Sequence, residues 1–245
     1  MGKLDGKVAI ITGGGTGIGR GIADSFLAEG CTVVISGRRA EVLEKAKTEL
    51  EAGGGTIMTV QSDVTDEDDV ISLFKQTIDR FGRLDILVNN AGVGQSGPIE
   101  DTSLEDWQYI VSINLTGPFL CTREAFKIMK PQGGGRIINV GSISAKVPRF
   151  GSVGYASTKH AMTGLTKTAA LEGREFGISC GQLNPGNTES ELMIATRARE
   201  GADANPMIPV WTQGEAALYM ATLPPEANVL EMTVIPIIQP FVGRG

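Results

Sequence analysis

Residues Val8-Ala9-Ile10-Ile11-Thr12-Gly13-Gly14-Gly15-Thr16-Gly17-Ile18-Gly19 decide how the rest of the chain is read. The apolar, β-branched opening reads as a buried strand, and the glycines after it read as a tight turn. Apolar residues then recur at Ile18, Ile22, Phe26 and Leu27, which is helical spacing. A strand that feeds a glycine turn into a helix leaves several backbone N–H groups unpaired and aimed at one point. Together with the helix dipole they suit a pyrophosphate. Gly13, Gly15, Thr16, Gly17, Ile18 and Gly19 are therefore candidate phosphate-binding residues. Taken alone, the same pattern also describes a purely structural glycine turn.

The pattern repeats outward from this point. Strand-like runs follow at Thr32–Ser36, Thr56–Gln61, Ile86–Asn89, Arg136–Val140, Ile178–Leu183 and Met232–Ile235. Helical spacing occupies Ile18–Ala28, Ala40–Leu50, Asp66–Phe81, Leu104–Met129, Ser157–Phe176 and Gln213–Ala221. Alternation of this kind predicts right-handed βαβ units: an α/β, Rossmann-type, doubly wound fold with a parallel seven-stranded sheet and helices on both faces. No linker or repeat divides the chain, so residues 1–245 read as one nucleotide-binding domain. A Pro- and Met-bearing stretch, Glu189–Pro209, reads either as part of a substrate lid at about 187–212 or as a plain surface helix pair.

Composition narrows the function. Of 245 residues, 22 are Lys or Arg and 28 are Asp or Glu, giving a net charge of −6. That balance argues against a nucleic-acid footprint. The apolar runs are far shorter than the ~18 residues that suggest a membrane span, so no membrane partner is expected. Lys3, Asp5 and Lys7 run straight into the first strand, which does not fit a secretory leader. Cys31, Cys121 and Cys180 are isolated and odd in number, and His160 is the only histidine. Neither a disulfide framework nor a metal site is expected, and the compartment reads as a reducing cytoplasm.

Two further clusters carry chemistry. A dinucleotide fold of this type ordinarily places an acid at the end of its second strand, where it meets a ribose hydroxyl. Here the sequence is Ser36-Gly37-Arg38-Arg39. Two arginines at a helix start oppose the macrodipole unless an anion lies between them. The 2′-phosphate of NADP is the candidate, with Arg38, Arg39 and a Ser36 hydrogen bond around it; a solvated arginine pair is the alternative. Tyr155 and Lys159 stand four apart, which places both on one helix face. Ser142 precedes them just beyond a strand.

These residues together resemble the classical short-chain dehydrogenase/reductase family over residues 7–235. The likeness rests on Thr12-Gly13, Gly17-Ile18-Gly19, Asp63-Val64, Asn89-Asn90-Ala91-Gly92, Asn114, Ser142, Tyr155, Lys159 and Asn184-Pro185-Gly186, in family order and spacing. The resemblance implies that Asp63 and Val64 meet the adenine, while Asn90, Ala91 and Gly92 serve the adenine-side ribose and the central strands. It implies that Tyr155 passes a proton to or from a substrate oxygen held by Ser142. Lys159 is then expected to bind the nicotinamide ribose and lower the Tyr155 pKa, and Asn114 to hold a water beside it. Pro185, Gly186 and Thr188 are expected at the carboxamide. The implied activity is an NADP(H)-dependent oxidoreductase, NADP(H) favoured over NAD(H), interconverting a ketone and a secondary alcohol. A 3-oxoacyl-thioester (acyl-carrier-protein) reductase is the alternative, and a silent nucleotide-binding regulator a further one. The family also implies a homo-oligomer, a tetramer, consistent with Trp107, Ile110, Phe119, Phe126, Met162 and Leu165 on more than one helical face. The C-terminal run from Asn228 to Gly245 departs from the family pattern.

Overall fold

A computed structural model describes residues 2–94, 97–190, 194 and 206–242. Its strands are β1 (Val8–Thr12), β2 (Thr32–Gly37), β3 (Ile57–Gln61), β4 (Ile86–Asn89), β5 (Gly135–Val140), β6 (Ile178–Pro185) and β7 (Glu231–Val234). They form one parallel sheet in the order β3-β2-β1-β4-β5-β6-β7. Parallel neighbours need crossovers, and these are carried by α1 (Gly17–Ala28), α2 (Ala40–Glu51), α3 (Glu67–Phe81), α4 (Leu104–Val111), α5 (Gly117–Gln132), α6 (Val153–Gly173) and α7 (Val210–Ala221).

Strand periodicity sorts the core into two layers. Ile11, Val33 and Ile35 point to the face covered by Ile22 and Phe26 of α1 and by Leu218 of α7. Their chain neighbours Ile10 and Val34 point to the other face, onto Leu73 and Phe74 of α3 and Met129 of α5. Both faces are covered, so β1 is buried along its whole length and reads as a continuous apolar run, as parallel strands do. Each fully buried large side chain, Phe26 among them, contributes about 1.5–3 kcal/mol. Cys31, Cys121 and Cys180 are buried and unpaired, and burial pushes all three thiols up to about 12.

Ile10 of β1 lies opposite Val34 on one side and Leu87 on the other. The chain leaves β1 toward β2 and β3, then returns to build β4 on the opposite side. The loops after β1 and β4 therefore diverge and leave a crevice at the carboxyl ends of the strands.

The helical pattern over Leu104–Met129 is not one helix. It splits into α4 and α5 around a π-helical turn at Ser112–Thr116. The helix expected from Ser157 begins at Val153 instead, so Tyr155 falls in its first turn. Gly151 and Gly154 hide that start from propensity, while Ser152 secures it by donating to the Arg149 carbonyl at 2.6 Å. The other bounds shift by a few residues. Most of the stretch expected as a lid lies outside the described residues. No helix among the described residues is long and apolar enough to cross a membrane, and no three of their His, Cys, Asp and Glu side chains gather around a common point.

Candidate active site

The glycine turn closes on β4 through one hydroxyl. Thr12 Oγ1 accepts from the backbone N–H groups of Asn90 at 3.0 Å and Ala91 at 3.1 Å. In return the Asn90 amide donates to the carbonyls of Thr12 at 2.9 Å and Gly13 at 3.1 Å. Asn90 thus braces the turn, and its side chain is occupied by backbone. Gly13 has φ of +63°, which only glycine adopts cheaply. A Cβ at Gly19 would overlap the Asn90 amide and the Gly13 carbonyl. The residue before α1, Thr16, makes no side-chain cap and the first turn of α1 holds no acid, so its N-terminal N–H groups are left to face the crevice.

That crevice has a volume of about 200 Å³. Gly13, Gly15, Thr16, Ser36, Arg38, Arg39, Asp63, Val64, Ala91 and Gly92 all line it. Gly17, Ile18, Gly19 and Asn90 instead support it from behind. Val42, Leu43, Ser62, Val93 and Ile113 line it too and were not expected. The hydroxyls of Ser36 and Ser62 are buried there without a hydrogen-bond partner. A buried orphan hydroxyl is costly unless something else meets it. These two hydroxyls and the glycine cradle fit a nucleotide. Asp63 Oδ1 accepts from the Thr65 N–H and hydroxyl at 2.9 and 2.8 Å. Arg38 donates to the Tyr109 hydroxyl of α4 at 3.4 Å, and no carboxylate among the described residues pairs with it.

Next to the crevice, the structure brings Ser142, Tyr155 and Lys159 together. The Ser142 side chain stands near enough to the Tyr155 phenol to act on its pKa as a hydrogen-bonding neighbour. Lys159 Nζ lies 5.6 Å from the centre of the Tyr155 ring and donates to the Val140 carbonyl at 2.8 Å. Burial pushes Lys159 down to about 8. Burial also raises the Tyr155 phenol, against the Ser142 hydrogen bond and the charge of Arg149, which lower it. The phenol therefore stands above its ordinary value, and its own burial is the main cause. The Lys159 ammonium is turned to the Val140 carbonyl.

Asn114 sits in the π-helical turn, a feature that often marks functional sites. Its amide is fully engaged: Nδ2 donates to the Val93 carbonyl and Oδ1 accepts from the Val93 N–H, both at 2.9 Å. Gly92 passes between it and Lys159; a Cβ there would lie 3.3 Å from Asn114 Oδ1 and 3.8 Å from Lys159 Nζ. Beyond β6, the Gly186 N–H donates to Val234 at 2.8 Å, and Thr188 Oγ1 donates to Gly186 and accepts from Gln213, both at 3.1 Å. A Cβ at Gly17 would come within 3.2 Å of Ser190, so this loop returns to the glycine turn.

Ser142 is fixed from behind by a chain of polar contacts. Its N–H donates to Asn184 Oδ1 at 3.1 Å, and Gln182 donates to the same oxygen at 2.7 Å. Asn184 Nδ2 donates to Glu231 at 2.8 Å, and Glu231 pairs with Lys146 at 2.9 Å. Glu231 lies in the C-terminal run that departs from the family pattern.

Fold, crevice and clustered side chains define an α/β protein with a nucleotide-type crevice beside a buried tyrosine. The short chain dehydrogenase family model matches residues 7–201, and the chain belongs to that family of oxidoreductases. It is 40% identical over 187 residues, 76% of this chain and 73% of the other, to an uncharacterized oxidoreductase, YxjF, of Bacillus subtilis. The crystal structure of 3-ketoacyl-(acyl-carrier-protein) reductase from Brucella melitensis complexed with NADH is 31% identical, with a TM-score of 0.86 covering 94% of this chain and 97% of that one. A variant of the actinorhodin polyketide ketoreductase with NADPH is 27% identical, with a TM-score of 0.88 covering 94% and 95%.

Proposed function

We propose that the protein is an NADP(H)-dependent oxidoreductase that interconverts a ketone and a secondary alcohol, with Tyr155 as general acid/base. The observation that carries this reading is the meeting of Ser142, Tyr155 and Lys159 beside Gly92, which lines the nucleotide crevice. When bound, the dinucleotide supplies or accepts the hydride. Tyr155 donates its proton to the carbonyl oxygen in reduction and takes it back in oxidation. Its raised pKa keeps it protonated as a donor at neutral pH. Ser142 holds and polarises that same oxygen. The Lys159 charge favours the developing phenolate and suits the ribose hydroxyls nearby. Asn114 shapes the turn where a water would join Lys159 to solvent.

For the adenosine end, Arg38, Arg39 and the orphan hydroxyl of Ser36 suit a 2′-phosphate. Asp63 and Val64 lie where the adenine would rest. Pro185, Gly186 and Thr188 are assigned to the carboxamide, under a lid at about 187–212. A homotetramer in the cytoplasm completes the reading. Trp107, Phe119 and Leu171 are exposed on α4, α5 and α6, whereas Ile110 and Met162 face the core, so these helices do carry a second apolar face. Light scattering that finds a monomer at micromolar concentration breaks the tetramer.

The similarity to a 3-ketoacyl-(acyl-carrier-protein) reductase keeps a 3-oxoacyl-thioester reductase as the second reading. Oxidation of NADPH and NADH against neutral ketones, oxo acids and an acyl thioester tests both. Binding of nucleotide with no turnover of any carbonyl compound overturns the proposal in favour of a silent regulator.

A further inference from the structure

The loop between β5 and α6 carries a charge that the reaction above does not use. Arg149 stands in it, and its Nη2 donates to Asn187 Oδ1 at 3.3 Å. Asn187 is buried and follows directly after Pro185-Gly186. It is fixed on both sides: its N–H donates to Gln239 Oε1 at 2.9 Å, and its carbonyl accepts from the Ile208 N–H at 3.0 Å. A rigid amide therefore tethers the guanidinium between the two loops that flank Ser142 and Tyr155. The tether is close enough to the reacting centre for the Arg149 charge to act on the Tyr155 phenol.

One tether uses one of the five N–H donors of a guanidinium. Among the described residues no Asp or Glu pairs with Arg149. The phosphate end of the nucleotide is not its target, because the crevice at the glycine turn is lined by Arg38 and Arg39 and not by Arg149. Arg149 instead lines a second cavity with Pro98, Glu100, Phe150 and Ala156 at the start of α6, and the open space beside its guanidinium is left for a substrate. A planar fork of donors matches a carboxylate, bidentately and with charge assistance.

We infer that Arg149 recognises a carboxylate on the substrate, and that the enzyme favours oxo acids and hydroxy acids whose acid group lies a few bonds from the reacting carbon. The inference rests on Ser142, Tyr155 and Lys159 being the reacting centre and names the substrate class for it. Arg149 acts as a specificity residue.

The test uses the full chain with NADPH and with NADH. Initial rates are measured on matched pairs, a 3-oxo acid and a 4-oxo acid each against its methyl ester, with a 3-oxoacyl thioester alongside. The acid is expected to exceed its ester in kcat/KM by about 10- to 100-fold, the worth of a charge-assisted hydrogen bond. Arg149→Gln is expected to bring that acid-to-ester ratio close to one, and Arg149→Lys to restore part of it. Because the ratio is read within one protein, partial loss of folded enzyme cancels. The same ratio in wild type and Arg149→Gln overturns the inference, as does a wild-type preference for ester or thioester. Turnover of neutral ketones without an acid preference overturns the inference alone. No turnover of any carbonyl compound overturns the reaction itself, and the substrate class with it.

Discussion

The two halves of the site are built from different materials. In the nucleotide crevice, the side chains that look functional in sequence are turned inward. Thr12 spends its hydroxyl on the backbone after β4, and Asn90 spends its amide on the backbone at the glycine turn, which leaves bare N–H groups at the crevice and two orphan hydroxyls buried in its wall. At the substrate rim, side chains meet side chains: Lys146 with Glu231, Glu231 with Asn184, Arg149 with Asn187. A phosphate is met by backbone shape, which glycine encodes locally. The rim is built instead from side chains whose partners lie far away in the chain.

The largest effect that sharpens this contrast is at the rim. Tyr155→Phe is expected to lower kcat by about 10²–10⁴-fold, the usual worth of a general acid, while NADPH binding measured by fluorescence stays intact. Retention of more than about a tenth of kcat assigns the proton to another group. In the crevice, wild type is expected to prefer NADPH over NADH by about 10- to 150-fold in kcat/KM, from one charge-assisted contact. Arg38→Ala should remove most of that through KM for NADPH. Equal kcat/KM for the two nucleotides in wild type defeats the assignment.

A smaller effect is read from pH. Burial lowers Lys159 to about 8, so its charge is present below that value and is lost as pH rises through it. Tyr155 is raised and stays protonated across the same range. Reduction measured at saturating nucleotide should be flat near neutrality and fall above pH 8, by about tenfold per unit at the limit. A rate constant that holds steady to pH 10 separates Lys159 from the chemistry. Smallest is Glu231→Leu, which removes the acceptor behind Asn184 and Ser142. It should cost about 1–2 kcal/mol in denaturant unfolding and reduce kcat by several fold with KM for nucleotide unchanged. Unaltered kcat and stability would mean that Ser142 is held without this chain of contacts.

Much of the fold was legible, because each strand announces itself by an apolar run of β-branched residues and the turn after β1 by its glycines. The crevice lining was legible for the same local reason, from Gly13 to Gly92. Ser62 was not, although it directly precedes Asp63 at the end of β3 and that position is a usable signal. Arg149 and Glu231 carry no local pattern at all. Each acquires its meaning from a partner far away in the chain, Asn187 and Asn184 respectively. The start of α6 was hidden by Gly151 and Gly154, whose low helix propensity is overridden by Ser152 and by packing.

The π-helical turn at Ser112–Thr116 has a consequence for how the chain tolerates change in length. An α-helix advances about 100° per residue, and a π turn is one residue inserted into that rotation. Upstream of it, Tyr109 is in phase to reach Arg38. Downstream, Leu120 and Met129 are in phase with the core while Phe119 faces out. Deleting a single residue here therefore closes the wide turn into ordinary α-helix and leaves α4 and α5 near their present phase. What it removes is the placement of Asn114, which is untied from both polar groups of Val93. One residue of length at this point sets where a single buried amide stands.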